Sequence, residues 1–264
     1  MRRTLSATIY ALSALVGLVA FVYPLVLSAL VGPERAAESQ SETPLLAMAL
    51  LLLGLGALLI EMQGRAVNAR MVATLGLLVA ATSVLRFLET AIPGPGGFSP
   101  IFVPIILAGY VYGPRFGFLM GALSLLASAV ITGGVGPWLP YQVFAAGWVG
   151  LTAGWLPHLP GKRRELALLT AFAFGWGLLF GAILNLYYWP YLSGSAAGEL
   201  GADNTLAGSD AWGGLARYGA FYLTTSFAWD LVRALGNALL VLAIGLPVLR
   251  ALRRFRDRMH FEAA

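Results

Sequence analysis

The sequence predicts an all-α, polytopic membrane protein with eight transmembrane helices. Three observations carry that prediction. Of 264 residues, 59% are hydrophobic and only 11% are charged. Soluble domains carry about 25% charged residues, so this chain has too few to cover a water-facing surface. The apolar residues fall in charge-free runs long enough to cross a bilayer, which takes about 20 residues. The basic residues gather in alternate connections, as they do in the cytoplasmic loops of membrane proteins.

The first run follows Arg2 and Arg3 and is free of charge from residue 4 to residue 33. Its basic start imitates a signal peptide. The run is too long for a signal core of about 7–15 residues, and no small-residue cleavage site follows. It reads as a retained helix near 5–31. Residues 43–60 give a second helix and 68–88 a third. The next charge-free stretch is broken by Pro93, Gly94, Pro95, Gly96, Gly97, Pro100 and Pro104. It reads as a loop followed by a short helix near 101–113. Residues 116–161 are too long for one span, and the cluster Gly133, Gly134, Gly136, Pro137 and Pro140 divides them into two. Residues 166–189 form another helix, 190–216 a polar loop, and 217–249 the last helix. The eight divide into a two-helix extension over 1–67 and a six-helix domain over 68–258, followed by a short tail at 259–264.

Orientation follows from the basic residues. With the N-terminus in the cytoplasm, thirteen of the 17 Lys and Arg residues lie inside. They include Arg65, Arg70, Arg115, the Lys162-Arg163-Arg164 cluster and five arginines beyond residue 249. Both termini are therefore expected to be cytoplasmic, in a cell-membrane protein with several passes. The net charge of +5 reads as this asymmetry, not as a nucleic-acid surface.

Several chemistries lack their residues. There is no cysteine, and the two histidines, His158 and His260, fall on the cytoplasmic side. No zinc motif and no serine–histidine pair at bilayer depth is therefore available. The single lysine, Lys162, is followed by arginine, so a phosphate-binding loop for ATP is absent. No catalytic residue, cofactor or metal is expected. Uphill movement of a solute would draw on an ion gradient or another subunit.

Ionisable residues inside spans are costly and mark functional sites by default. Asp230, Arg233 and Asn237 lie three and four apart, on one face of the last helix. They either neutralise each other or reach a ligand, and the ligand reading is favoured because a purely structural helix can do without both charges. Arg86 and Glu89 are also three apart, at the outer end of the third helix, where an interfacial pair is the simpler alternative. Ala173, Gly177, Gly181, Asn185 and Trp189 recur every four residues, a packing stripe that becomes polar and aromatic outward. Gly113, Gly117 and Gly121 make a second stripe, read as helix packing. Ala69, Ala73, Gly76 and Ala80 form a seam of small residues, read either as internal packing or as a docking face for another membrane subunit.

With these residues in view, the stretch from Leu107 to Pro157 resembles the substrate-specific S components of energy-coupling-factor (ECF) transporters. The Gly113-Pro114-Arg115 turn with its glycine-spaced helix carries the match. So does the Gly134-Val135-Gly136-Pro137-Trp138 turn, followed by Gln142 and a Gly-rich helix. The Trp229-Asp230-Leu231-Val232-Arg233 segment resembles the last helix of that family. The similarity covers about 68–258 and leaves 1–67 outside it.

The resemblance implies a six-helix core, with a pocket open to the outside that captures a vitamin-like compound. It implies partners, a transmembrane scaffold (the T component) and two ATPases. Ala69, Ala73, Gly76 and Ala80 match the positions that contact the scaffold in that family. The pocket is expected to draw on Arg86, Glu89, Trp138, Tyr141, Gln142, Asn185, Trp189, Asp230 and Arg233. Aromatic faces with a few polar groups suit a flat organic solute. Two other readings stay open. A self-sufficient secondary transporter or channel would show paired broken helices in two halves, and one such region is seen, near 93–104. A non-transporting membrane scaffold would need no polar pocket.

Overall fold

The computed structural model describes Leu15 and residues 69–91, 96–136, 138–195 and 211–260. Seven helices are seen among the described residues, and no strand. They are α1 (Ala69–Ala91), α2 (Phe102–Tyr112), α3 (Pro114–Thr132), α4 (Leu139–Ala153), α5 (Lys162–Ser195), α6 (Ala211–Thr225) and α7 (Phe227–His260). Among them α1, α3, α5 and α7 contain spans long and apolar enough to cross a membrane. The expected helices near 5–31 and 43–60 lie outside the described residues, apart from Leu15.

The chain divides into two compact units, one of residues 62–180 with 228–264, the other of 1–61 with 181–227. In the first unit, α2, α3 and α4 pack together, with α1 against α3. Glycine decides how closely they approach. A Cβ on Gly117 would fall on the Gly150 carbonyl, and one on Gly150 on the Gly117 carbonyl. Gly109 of α2 meets the same Gly150 carbonyl, and Gly121 meets the backbone at Ala146 and Gly147. The stripe at Gly117 and Gly121 thus packs helices, as its spacing predicts.

Gly113 plays a different part from that stripe. Its φ of 95° ends α2 and hands the chain to Pro114, the first residue of α3. Glycine adopts this backbone at no steric cost, and proline suits the first helical position. The turn lets an eleven-residue helix, too short to cross a bilayer, continue into a longer one. Nine residues of α2 are buried. A helix apolar all round belongs in a protein interior.

The glycine contacts make a graded prediction. Gly150→Ala should cost about 3 kcal/mol, the upper range for forcing atoms into a filled core. Gly76→Ala, mid-helix with nothing within 4 Å of the new carbon, should not lower stability and should raise it by up to about 1 kcal/mol. Equal melting temperatures for the two purified variants would refute the close packing at Gly150.

α5 and α7 cross where Gly177 lies against the backbone of Ala234. Further along, Glu165 of α5 pairs with Arg253 of α7, and Tyr110 of α2 donates a hydrogen bond to Glu165 at 2.8 Å. The Tyr110 ring also stacks on His158, with centroids 4.4 Å apart. In the second unit, the Tyr218 hydroxyl donates to the Ala182 carbonyl, and Tyr218 stacks with Tyr222.

The expected last helix over 217–249 is in fact two. α6 ends at Thr225, and α7 begins at Phe227. Thr224 and Thr225 turn their hydroxyls back onto the carbonyls of Ala220 and Phe221. Such back-bonding competes with the helix ladder. α7 then runs on to His260, through the five arginines beyond residue 249. The polar loop expected over 190–216 is shorter at both ends, because α5 reaches Ser195 and α6 starts at Ala211. Pro190 and Gly194 are strong breakers in a sequence, yet the helix carries through both.

Candidate functional site

One set of polar groups inside the first unit gathers on α1, α7 and the segment before α2. On α7, Arg233 forms an ion pair with Asp230 three residues earlier. Asp230 is 2% exposed. The Arg233 guanidinium also donates to the Gly177 carbonyl at 3.5 Å and lies 5.6 Å from the centre of the Phe180 ring. A cation over an aromatic face is attracted by the ring quadrupole, more so where water is excluded. Phe180 meets Phe102 edge to face, with centroids 4.7 Å apart.

On α1, Arg86 donates to Glu89 at 2.5 Å. Ser99, buried in the segment before α2, donates to the other Glu89 oxygen at 2.8 Å and accepts from Arg86 at 3.5 Å. The pair is thus tied to the protein by a third group, unlike an exposed interfacial pair. Ser99 directly follows residues 96–98, which lie against α7 at Trp229 and Gly236. Two arginines and two carboxylates therefore share one region.

Residues 96–98 are laid along the start of α7. The Trp229 ring covers Gly96, the Trp229 carbonyl approaches Gly97, and the Phe98 ring rests on Gly236. A side chain at any of these three glycines would collide. Gly97 also holds a φ of 80°, which favours glycine. The glycines read as loop breakers in the sequence are thus what lets this segment close onto α7.

The remaining expected residues are spread more widely. Tyr141 is buried and Gln142 half-buried in the first turn of α4. Trp138 is 38% exposed, with its ring turned back over Gly136. Asn185 belongs to the second unit, and its buried amide nitrogen has no hydrogen-bond partner among the described residues. The Trp189 side chain lies outside the described residues. No group of three His, Cys, Asp or Glu side chains is placed to hold a metal among the described residues.

Two members of the polar region were missed in the sequence. Ser99 is a serine in a proline- and glycine-rich loop and gives no signal of its own. Thr82 lies four residues before Arg86, on the same face of α1, and that spacing was there to be read. Its hydroxyl is buried without a partner among the described residues.

A multi-pass helical membrane protein with ionic groups gathered inside it belongs among the binding and transport proteins of membranes. The family model for the substrate-specific component of ECF transporters matches residues 70–245, and the chain belongs to that family. It is a transport subunit and not an enzyme. No curated protein and no solved structure matches the chain.

Proposed function

We propose that this chain captures a small, vitamin-like organic solute from outside the cell and delivers it through a T component driven by two ATPases. The observation that carries the reading is the Asp230–Arg233 pair, buried beside Phe180 in an S-component chain. A charge at bilayer depth costs about 2.5–3.5 kcal/mol on insertion scales, and a bound solute gives it a use. Arg86 and Glu89 extend the site from α1. Tyr141, Gln142 and Trp138 complete its walls and rim in this proposal. The solute enters from the side of the 96–99 segment. Both termini are cytoplasmic in this reading.

Docking to the scaffold is assigned to the seam on α1. Ala69, Ala73, Gly76 and Ala80 are all exposed, whereas Leu75 and Thr82 of the same helix are buried. Nothing lies within 4 Å of a Cβ placed on Gly76. Such a face supports docking over packing within the described residues, because small side chains let a partner helix approach closely. Ala73→Trp and Gly76→Leu should each reduce co-purification with the T component roughly tenfold or more, the effect of about 1.4 kcal/mol. Solute binding should be unchanged. Assembly that survives bulky residues at all four positions would remove the seam from the interface.

A further inference from the structure

Two helices present polar ladders of matching order. On α1, Glu89, Arg86 and Thr82 follow one another at steps of three and four, going away from the Ser99 segment. On α7, Asp230, Arg233 and Asn237 do the same. Each ladder begins with an ion pair and ends, one turn deeper, in a neutral residue. Both neutral residues are buried, Thr82 at 1% and Asn237 at 0% exposure. Neither the Thr82 hydroxyl nor either end of the Asn237 amide has a hydrogen-bond partner among the described residues. Buried polar groups are almost always paired, so each exception calls for a reason.

The charges and the amide point to one kind of occupant. The two arginines are matched by two carboxylates, so the ionic layer demands no net charge from a ligand. An ionised solute would have to displace one of these pairs and leave a buried charge behind, which is costly. The unmet groups at the ends of the two ladders, Thr82 and Asn237, are neutral. Asn237 offers an N–H donor beside a C=O acceptor. Its complement is a group with the same two atoms in reverse order. Aromatic rings stand near this layer, Phe98 on Gly236 and Phe180 under Arg233.

We infer that Asn237 is a specificity-determining residue, and that the captured solute is uncharged and carries an –NH–C(=O)– edge, as in a lactam, ureide or carboxamide. This rests on the solute-capture reading above and names its substrate class. Thr82, at the end of the α1 ladder, is the second buried polar group left for such a solute.

The test uses the full chain in lipid nanodiscs and four probes of similar size. Isoquinolone is a flat neutral lactam. Its N-methyl derivative lacks the donor. Naphthoate and naphthylmethylammonium carry charge. Isoquinolone should bind saturably by calorimetry, and the N-methyl derivative at least roughly tenfold more weakly, the effect of one lost hydrogen bond. Asn237→Leu should weaken isoquinolone binding as much, yet melt no lower than the wild type without ligand, because it removes an unmet buried amide. The N-methyl comparison keeps the test decisive should that variant fold poorly. Equal binding of isoquinolone and its N-methyl derivative would overturn the inference. So would unchanged binding by Asn237→Leu, which would mean that enclosed water satisfies the amide. Binding of a charged probe without isoquinolone would refute the substrate class and leave solute capture standing. A chain that binds none of the four, and carries no co-purifying solute by mass spectrometry, would lose both readings.

Discussion

Arg233→Ala should abolish solute binding and cost about 3–5 kcal/mol of stability, the usual result of removing one partner from a buried ion pair. Asp230 is 2% exposed, so its carboxylate would remain in the interior without the guanidinium that offsets its burial. The variant also loses the contacts of Arg233 with the Gly177 carbonyl and the Phe180 ring. These lie beside the crossing of α5 and α7 at Gly177 and Ala234, so the damage should reach the packing of both helices. Stability alone cannot separate a ligand contact from a structural pair. The double change Asp230→Leu with Arg233→Met can. It removes both charges, and replacing a buried pair by apolar residues of similar volume is often neutral or stabilising. A folded double variant that still binds the solute co-purifying with the wild type, at wild-type affinity, would take both residues out of the site.

The parts of this molecule that follow from local spacing were legible in the sequence. The i, i+3 pairs at Arg86–Glu89 and Asp230–Arg233 are fixed by helix geometry once the helices are placed, and both form. The four-residue glycine steps gave the packing face of α3. What faces that stripe was not legible. Gly150 sits 33 residues beyond Gly117, and only the folded chain shows that their carbonyls exclude each other's side chains. Ser99 was missed for the same reason. Its partners lie 10 and 13 residues back, across a turn whose course no periodicity describes. The break at Ser226 failed differently. Thr224, Thr225 and Ser226 lie in an apolar run, and hydropathy does not register hydroxyls bonding back to the helix. At the other end of the bundle, Glu165, beside Lys162, Arg163 and Arg164, was not singled out. The signal was present, since Glu165 is the only carboxylate between Glu89 and Glu199, but its partner lies 88 residues away.

That partner carries the second large effect. Arg253→Ala should lower stability by about 3 kcal/mol, the lower range for a broken buried pair because the arginine is partly exposed. Glu165 is buried at 6% exposure. It accepts from both terminal nitrogens of Arg253 and from the Tyr110 hydroxyl. Three helices distant in sequence, α2, α5 and α7, thus converge on one carboxylate. Two further contacts join α2 to α7 nearby: the Tyr112 hydroxyl donates to the Leu252 carbonyl at 3.1 Å, and Arg256 donates to the Val111 carbonyl at 3.4 Å. These do not compensate for Arg253, because they leave the Glu165 charge unmatched. Tyr110→Phe should cost less, about 1.5–3 kcal/mol, since it removes one hydrogen bond to a charged group and leaves the ion pair in place. Arg254→Ala, at an exposed neighbouring position, should change nothing. The loss should be local before it is global. Backbone amides of α7 beyond Pro247 should exchange hydrogen faster in Arg253→Ala, while those of α3, held by the glycine contacts, keep their protection. If Arg253→Ala melts with the wild type and protects α7 equally, the carboxylate is held by something other than this pair.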